Sequence, residues 1–159
     1  MTVELLNPDS DRDIDAWLEL WQAITAHDLP DDVPPGRTER TWWLKGSPKH
    51  AVTTLVVRSG NGLGGAVRLA LPTGENAHMS WSDLYVRPDL RRRGIGRELF
   101  HAAIEELRAQ GRRTVSFDAP DSAAAQAFAA AMGAAETMRK VRYLYRLDRV
   151  DPSTRDAIA

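Results

Sequence analysis

The residues best suited to chemistry lie in one run, Leu84–Leu107 (LYVRPDLRRRGIGRELFHAAIEEL). Arg91, Arg92 and Arg93 are followed by Gly94-Ile95-Gly96 and then by Arg97. Glycines let a chain turn tightly and let a ligand approach the backbone closely. Where such a loop opens a helix, the first N–H groups lack intrahelical partners and meet the positive end of the helix dipole. That is an anion site, and the pyrophosphate of a nucleotide cofactor is its usual occupant. The loop is not a dinucleotide fingerprint, because the third glycine place holds Leu99. Nor is it a Walker loop, since no Gly-Lys-Ser/Thr follows.

The surrounding pattern supplies a strand and a helix to hold that loop. Leu84 and Val86 give a strand its period-2 apolar face, and Pro88 ends it. From about Ile95, a helical stripe of Ile95, Leu99, Ala103 and Leu107 runs with Phe100 and Ile104 beside it, closed by Gly111. Upstream, Val3–Leu6 reads as a strand, and a helix capped by Asp9 or Ser10 runs to about His27. Its stripe of Ile14, Trp17, Leu18, Trp21 and Ile24 predicts a core face. A loop, Asp28–Arg37, leads to a short helix over Thr38–Leu44. Ala51–Arg58, Leu63–Leu71 and His78–Val86 are strands with short turns between them, which implies an antiparallel meander. Thr114–Ala119 follows a helix and is expected to run parallel to its neighbour. A helix over Ala123–Met132 and a strand over Arg139–Leu147 complete the order β-α-α-β-β-β-α-β-α-β. This is an α+β chain with a mixed sheet, one domain over residues 1–150 and a tail over 151–159.

Composition excludes several classes. The 159 residues carry a net charge of −1, so there is no general basic field for nucleic acid. Cysteine is absent, which removes disulfides and thiol catalysis. No apolar run approaches membrane-spanning length, and MTVELLNPDSDRD lacks the form of a secretory signal. A cytoplasmic protein is the default expectation.

Arg91, Gly94 and Gly96 occupy the fixed places of an R/Q-x-x-G-x-G/A motif, preceded by Val86-Arg87-Pro88. Over Trp81–Gly111 the chain resembles the GNAT superfamily of N-acetyltransferases. The resemblance implies the GNAT fold and acetyl-CoA as cofactor. It implies that the 91–97 loop (Arg91, Arg92, Arg93, Gly94, Ile95, Gly96, Arg97) holds the pyrophosphate. The pantetheine arm would pair with the backbone of Leu84, Tyr85 and Val86, a β-augmentation. Asp83, one residue before Leu84, stands where many members carry an acid near the acetyl group, so it is the candidate base, with His78 and Glu75 as second choices. His101 falls on the solvent or adenine side. The Asp28–Arg37 loop is the candidate acceptor wall. Arg37 and Arg40 offer charge for an anionic acceptor, although isolated arginines are usually solvated. One departure stands out: the place where many members carry a tyrosine that protonates the departing thiolate holds Ala129, and Asp121 is nearest to the usual asparagine. Tyr143 and Tyr145 are read as strand core rather than as its replacement.

The stretch LPTGENAHMSWSDLYVRPDLRRRGIG is also similar to tandem acetyltransferases of actinomycete type, in which one half is often degenerate. Two functions follow. One is acetyl transfer from acetyl-CoA to an amine of a small molecule or peptide by direct attack in a ternary complex. The other is a regulatory or structural acyl-CoA-binding domain with weak catalysis. Neither needs nucleic acid or membrane as a partner, and a homodimer is the open oligomeric alternative.

Overall fold

The computed structural model describes residues 1–32 and 36–141. Five strands form one sheet in the order β1-β2-β3-β4-β5: β1 (Val3–Leu5), β2 (His50–Ser59), β3 (Gly62–Pro72), β4 (Met79–Val86) and β5 (Thr114–Phe117). The first four are antiparallel neighbours, and β5 runs parallel to β4. The helices are α1 (Asp11–Asp28), α2 (Arg37–Lys45), α3 (Ile95–Ala109) and α4 (Ala123–Ala131). The meander and the parallel fifth strand are as the sequence predicts. The strand expected over Arg139–Leu147 lies outside the described residues from position 142 on, as do Tyr143, Tyr145 and the tail, and residues 139–141 carry no regular structure.

Alternation along the strands divides the core in two. Leu55, Val57, Val67, Leu69 and Leu71 face Ile95, Leu99, Ala103 and Leu107 of α3, with Leu84 and Val86 packed beside them. Val56 and Ala66 face the other way, toward Ile14, Trp17, Leu20 and Ile24 of α1 and Leu44 of α2. Thus α1 and α2 cover one face of the sheet and α3 the other. Consecutive residues of β4 address different layers. Asp83 and Tyr85 lie on the α1/α2 face, while Leu84 and Val86 lie on the α3 face. Ser10 caps α1, its hydroxyl accepting from the Asp13 N–H.

Gly64-Gly65 looks in the sequence like a weakness at the start of a strand. In the fold Gly65 is where α3 seats on the sheet. A Cβ there would lie 2.8 Å from Ile95 Cγ2, 2.8 Å from the Tyr85 carbonyl oxygen and 3.0 Å from Leu99 Cδ1. Gly65→Ala is therefore expected to destabilise the domain by about 1–3 kcal/mol, the range for overpacking. Gly60→Ala is the contrast, because its Cβ would meet nothing within 4 Å and only its positive φ is at stake. Urea melts of the two variants check this; Gly65→Ala must lose more.

Candidate active site

The site begins where β4 and β5 part. At the near end they are held together. The His78 carbonyl accepts from the Arg113 N–H at 2.8 Å. Arg112 Nη1 donates to the carbonyls of Pro72 and Ala77 at 2.8 and 2.7 Å. Pairing then runs only from Met79↔Thr114 to Ser82↔Phe117. β5 ends at Phe117, two residues earlier than the expected Ala119, so Asp83–Val86 have no partner on that edge among the described residues. The Arg87 N–H donates to Gly64 on β3, so odd-numbered residues here turn their backbone groups toward β3. The even-numbered ones face the gap, as the His78 carbonyl does. The N–H and C=O of Leu84 and the N–H of Val86 are thereby left open toward it.

The glycine loop closes the far end of the gap. After a single 3-10 turn, Pro88–Leu90, the chain passes through Arg92 at φ 64 and Gly94 at φ 88. The first helical bond of α3 is Glu98 N–H to the Gly94 carbonyl. The six N–H groups of Arg92–Arg97 have no acceptor among the described residues. That row of donors at a helix N-terminus is what a pyrophosphate needs. Arg92, Arg93 and Arg97 are exposed and form no ion pair among the described residues. Gly96 permits a close approach of a different kind: its Cβ would meet Phe128 Cε2 of α4 at 3.2 Å and Val86 Cγ2 at 3.4 Å. Ile95 is buried under the loop and anchors it.

The Arg91 guanidinium is bonded within the chain. Its Nη1 and Nη2 donate to the two oxygens of Asp28 at 2.9 and 2.5 Å, and its Nε donates to the Val86 carbonyl at 3.1 Å. The guanidinium ties the last residue of α1 to the glycine loop and to the open edge of β4. Asp28, expected in the acceptor wall, is half of this clamp. Hydrogen bonds from Arg91 hold its carboxyl below the usual range, against the effect of burial and with help from His27. A depressed carboxyl stabilises the fold fully above its unfolded value, about pH 4, and the contribution is lost as pH falls through the folded value. Asp28→Asn should thus lower stability by about 1–2 kcal/mol at pH 7, between surface and buried pairs. Melts at pH 7 and pH 3 check it: the gap between native and variant must narrow in acid.

Asp83 sits opposite Arg68 in the β3–β4 register, and Arg68 Nη1 lies 3.3 Å from its Oδ2. Arg68 Nε donates to the Trp43 carbonyl at 2.9 Å, which fixes the arginine from the α2 side. Burial raises the Asp83 carboxyl above its ordinary value, and Arg68 only partly offsets this. Tyr85, on the same face, packs edge-on against Trp17 and Trp21, at 6.0 and 4.6 Å between ring centroids. Burial raises its hydroxyl as well, and the carboxylate of Asp83 adds to that.

The sequence offered Arg40 either as charge for an anionic acceptor or as a solvated arginine; it is not solvated, being 3% exposed. With Leu44 one turn later it forms the inward face of α2. Its guanidinium carbon stacks 3.6 Å from the centroid of Trp21 and 4.3 Å from that of Trp43. Burial lowers it to about 10, so it remains a cation at neutral pH. Arg37 instead pairs with Asp11 and Asp15 on the surface. Glu75 and His78 are exposed, and His78 Nδ1 contacts the Glu75 carbonyl rather than the gap. His101 is exposed on α3. Ala129 is half-buried in α4 beside Phe128. Two concavities among the described residues, one lined by Leu5, Leu44 and Val52 and the other by Arg37, Trp42 and Lys45, do not include Asp83 in their walls.

The fold thus joins a mixed sheet that parts between β4 and β5 to a glycine loop with a row of free N–H donors. Residues 14–134 match the profile of the acetyltransferase (GNAT) family. The chain belongs to that family, whose cofactor is acetyl-CoA, and the row of free N–H groups with the open Leu84–Val86 edge fits it. The chain is 36% identical to a tandem GNAT protein from the clavulanic acid biosynthesis pathway, with a TM-score of 0.71 over 83% of this chain. It spans 43% of that protein's chain. Two structures share the fold at lower identity. One is an aminoglycoside acetyltransferase from an uncultured soil metagenomic sample, in complex with sisomicin (18% identity, TM-score 0.69, 92% of this chain and 95% of that one). The other is the aminoglycoside N-acetyltransferase AAC(6')-Iy in complex with CoA (16%, 0.65, 91% and 99%). No curated protein sequence matches the chain. No helix among the described residues is long and apolar enough to cross a membrane.

Proposed function

We propose that the protein transfers the acetyl group of acetyl-CoA directly to an amine held beside Asp83. The observation that carries this is the placement of a half-buried carboxylate one residue before an open strand edge that leads into a free row of N–H donors. When bound, acetyl-CoA supplies a thioester whose C–S bond is exchanged for the C–N bond of the product, the amine's proton going to Asp83 and the thiolate leaving with CoA. The backbone N–H groups of Arg92–Arg97 take the pyrophosphate, and Arg92, Arg93 and Arg97 add charge around it. Arg91 acts through its clamp on Asp28 and Val86. Leu84 and Val86 pair with the pantetheine arm, and the Leu84 N–H, open toward the gap, would serve as a backbone donor for a carbonyl oxygen. Asp83, its carboxyl raised above the ordinary value by burial, takes up the proton, directly or through water. Arg68 fixes its orientation.

Ala129 gives the thiolate no acid from α4. A thiol pKa of about 8.5 makes its thiolate a tolerable leaving group, so the missing acid slows transfer without forbidding it. Direct transfer is the mode expected of a chain with no cysteine to carry an acyl group. Initial rates with both substrates varied test it. Intersecting lines and an unmodified protein mass after incubation with acetyl-CoA alone are expected. Parallel lines with an acetylated chain would overturn the ternary-complex reading. The binding-domain alternative predicts CoA affinity with no acetyl transfer to any amine.

A further inference from the structure

A buried cation normally has an acid partner, because several kcal/mol of lost hydration must be offset. Arg40 has none in contact. Its Nε and Nη1 are buried without an acceptor, and no nitrogen of its guanidinium is hydrogen-bonded among the described residues. The acidic groups that act on it through space are, in order, Tyr85, Glu39 and Asp83, and none is bonded to it. The buried indole N–H groups of Trp17 and Trp21, in the same aromatic cluster, also lack acceptors. All four orphaned atoms are donors. Arg58 and Arg112 each bury an unpaired nitrogen too, but Arg58 also donates to Glu4 and Asp13, and Arg112 Nη1 donates to backbone carbonyls. The second cation on this face, Arg68, has Asp83 as its one acid partner among the described residues, beside the Trp43 carbonyl. The face beside the proposed base therefore carries two guanidinium groups, one carboxylate and a surplus of donors.

We infer that the acceptor is an amine that also bears a carboxylate, with the carboxylate held by Arg40 and Arg68 and the amine lying at Asp83. This rests on the acetyl-transfer reading and narrows its substrate. Planar guanidinium forks suit a carboxylate, and the stacking on Trp21 and Trp43 holds the Arg40 plane in place. The same charges oppose a polycationic acceptor, because each added ammonium meets Arg40 and Arg68 at close range.

The test uses matched acceptors: α-, β- and γ-amino acids against their carboxamides. The native protein should favour the acid in kcat/KM by roughly 10- to 100-fold at the best chain length, as hydrogen bonds to charged groups allow. Arg40→Gln should erase that preference mainly through KM, and Arg40→Lys should restore part of it. Thermal melts establish that the variants fold. If Arg40→Gln does not fold, the native protein decides through binding, with calorimetry of N-acetyl amino acids and their amides in the presence of CoA. Equal rates for acid and amide, or preference for polyamines, would overturn the inference and leave acetyl transfer standing. Preferential binding of the acid without turnover would overturn the transfer reading and the acceptor role with it, leaving a carboxylate-binding site alone. Equal or no binding of acid and amide, with no turnover, would overturn both.

Discussion

Gly94→Glu is expected to weaken CoA binding by roughly 10³-fold, since a like charge about 4 Å from a phosphate at an effective dielectric of 20 is worth about 4 kcal/mol. The variant should remain folded. A Cβ at Gly94 meets nothing within 4 Å, so no neighbour has to move. The φ of 88° does strain any L residue, at roughly 1–2 kcal/mol, well inside the stability of an ordinary domain. Gly94→Ala separates the two effects, because it carries the strain without the charge and should bind CoA far better than the glutamate variant. Gly96→Glu should also abolish binding, but it presses on Phe128 and Val86, so its melt must be measured alongside. Raising salt should weaken native binding modestly, through Arg92, Arg93 and Arg97. Calorimetry showing native-like affinity in Gly94→Glu would remove the pyrophosphate from this loop.

Asp83→Asn is expected to lower the rate of transfer by about 10²–10⁴-fold with CoA affinity nearly intact, the range for loss of a general base. The pH profile is the sharper readout. A base works only when deprotonated, so the native rate falls as pH drops through the Asp83 value. Burial places that limb above the range of an ordinary carboxylate, with Arg68 opposing the shift. The asparagine variant should lose the limb altogether. An unchanged acid limb in Asp83→Asn would assign the base elsewhere. Arg68→Gln supplies a graded control: without its partner cation the carboxyl should rise further, moving the limb to higher pH.

The elements were legible because each depends on local pattern. Leu99, Ala103 and Leu107 state a helix by their spacing, and Thr54, Val56 and Val57 state a strand by their branching. The glycine loop was legible because its chemistry is carried by backbone groups at fixed offsets. What the sequence hid depends on contacts between distant segments. Arg91 fits the motif, yet its guanidinium is taken by Asp28, 63 residues away. Arg40 looked like a surface charge because nothing local says that Trp21 and Trp43 will close over it. Gly65 looked like a weak strand residue because its value lies in the approach of α3. Asp83 was singled out by the family resemblance at the residue before Leu84, while its ion partner Arg68 is set by cross-strand register. Amphipathic reading of α2 could have found Arg40, since it shares the inward face with Leu44.

The account stands most directly on a mass balance. The native protein is incubated with acetyl-CoA and a panel of amines, and free thiol and N-acetyl product are quantified together by mass spectrometry. Equal amounts of the two, with no free acetate above the enzyme-free control, are the predicted result. Thiol accompanied by acetate alone, or no thiol with any amine despite bound CoA, would contradict it.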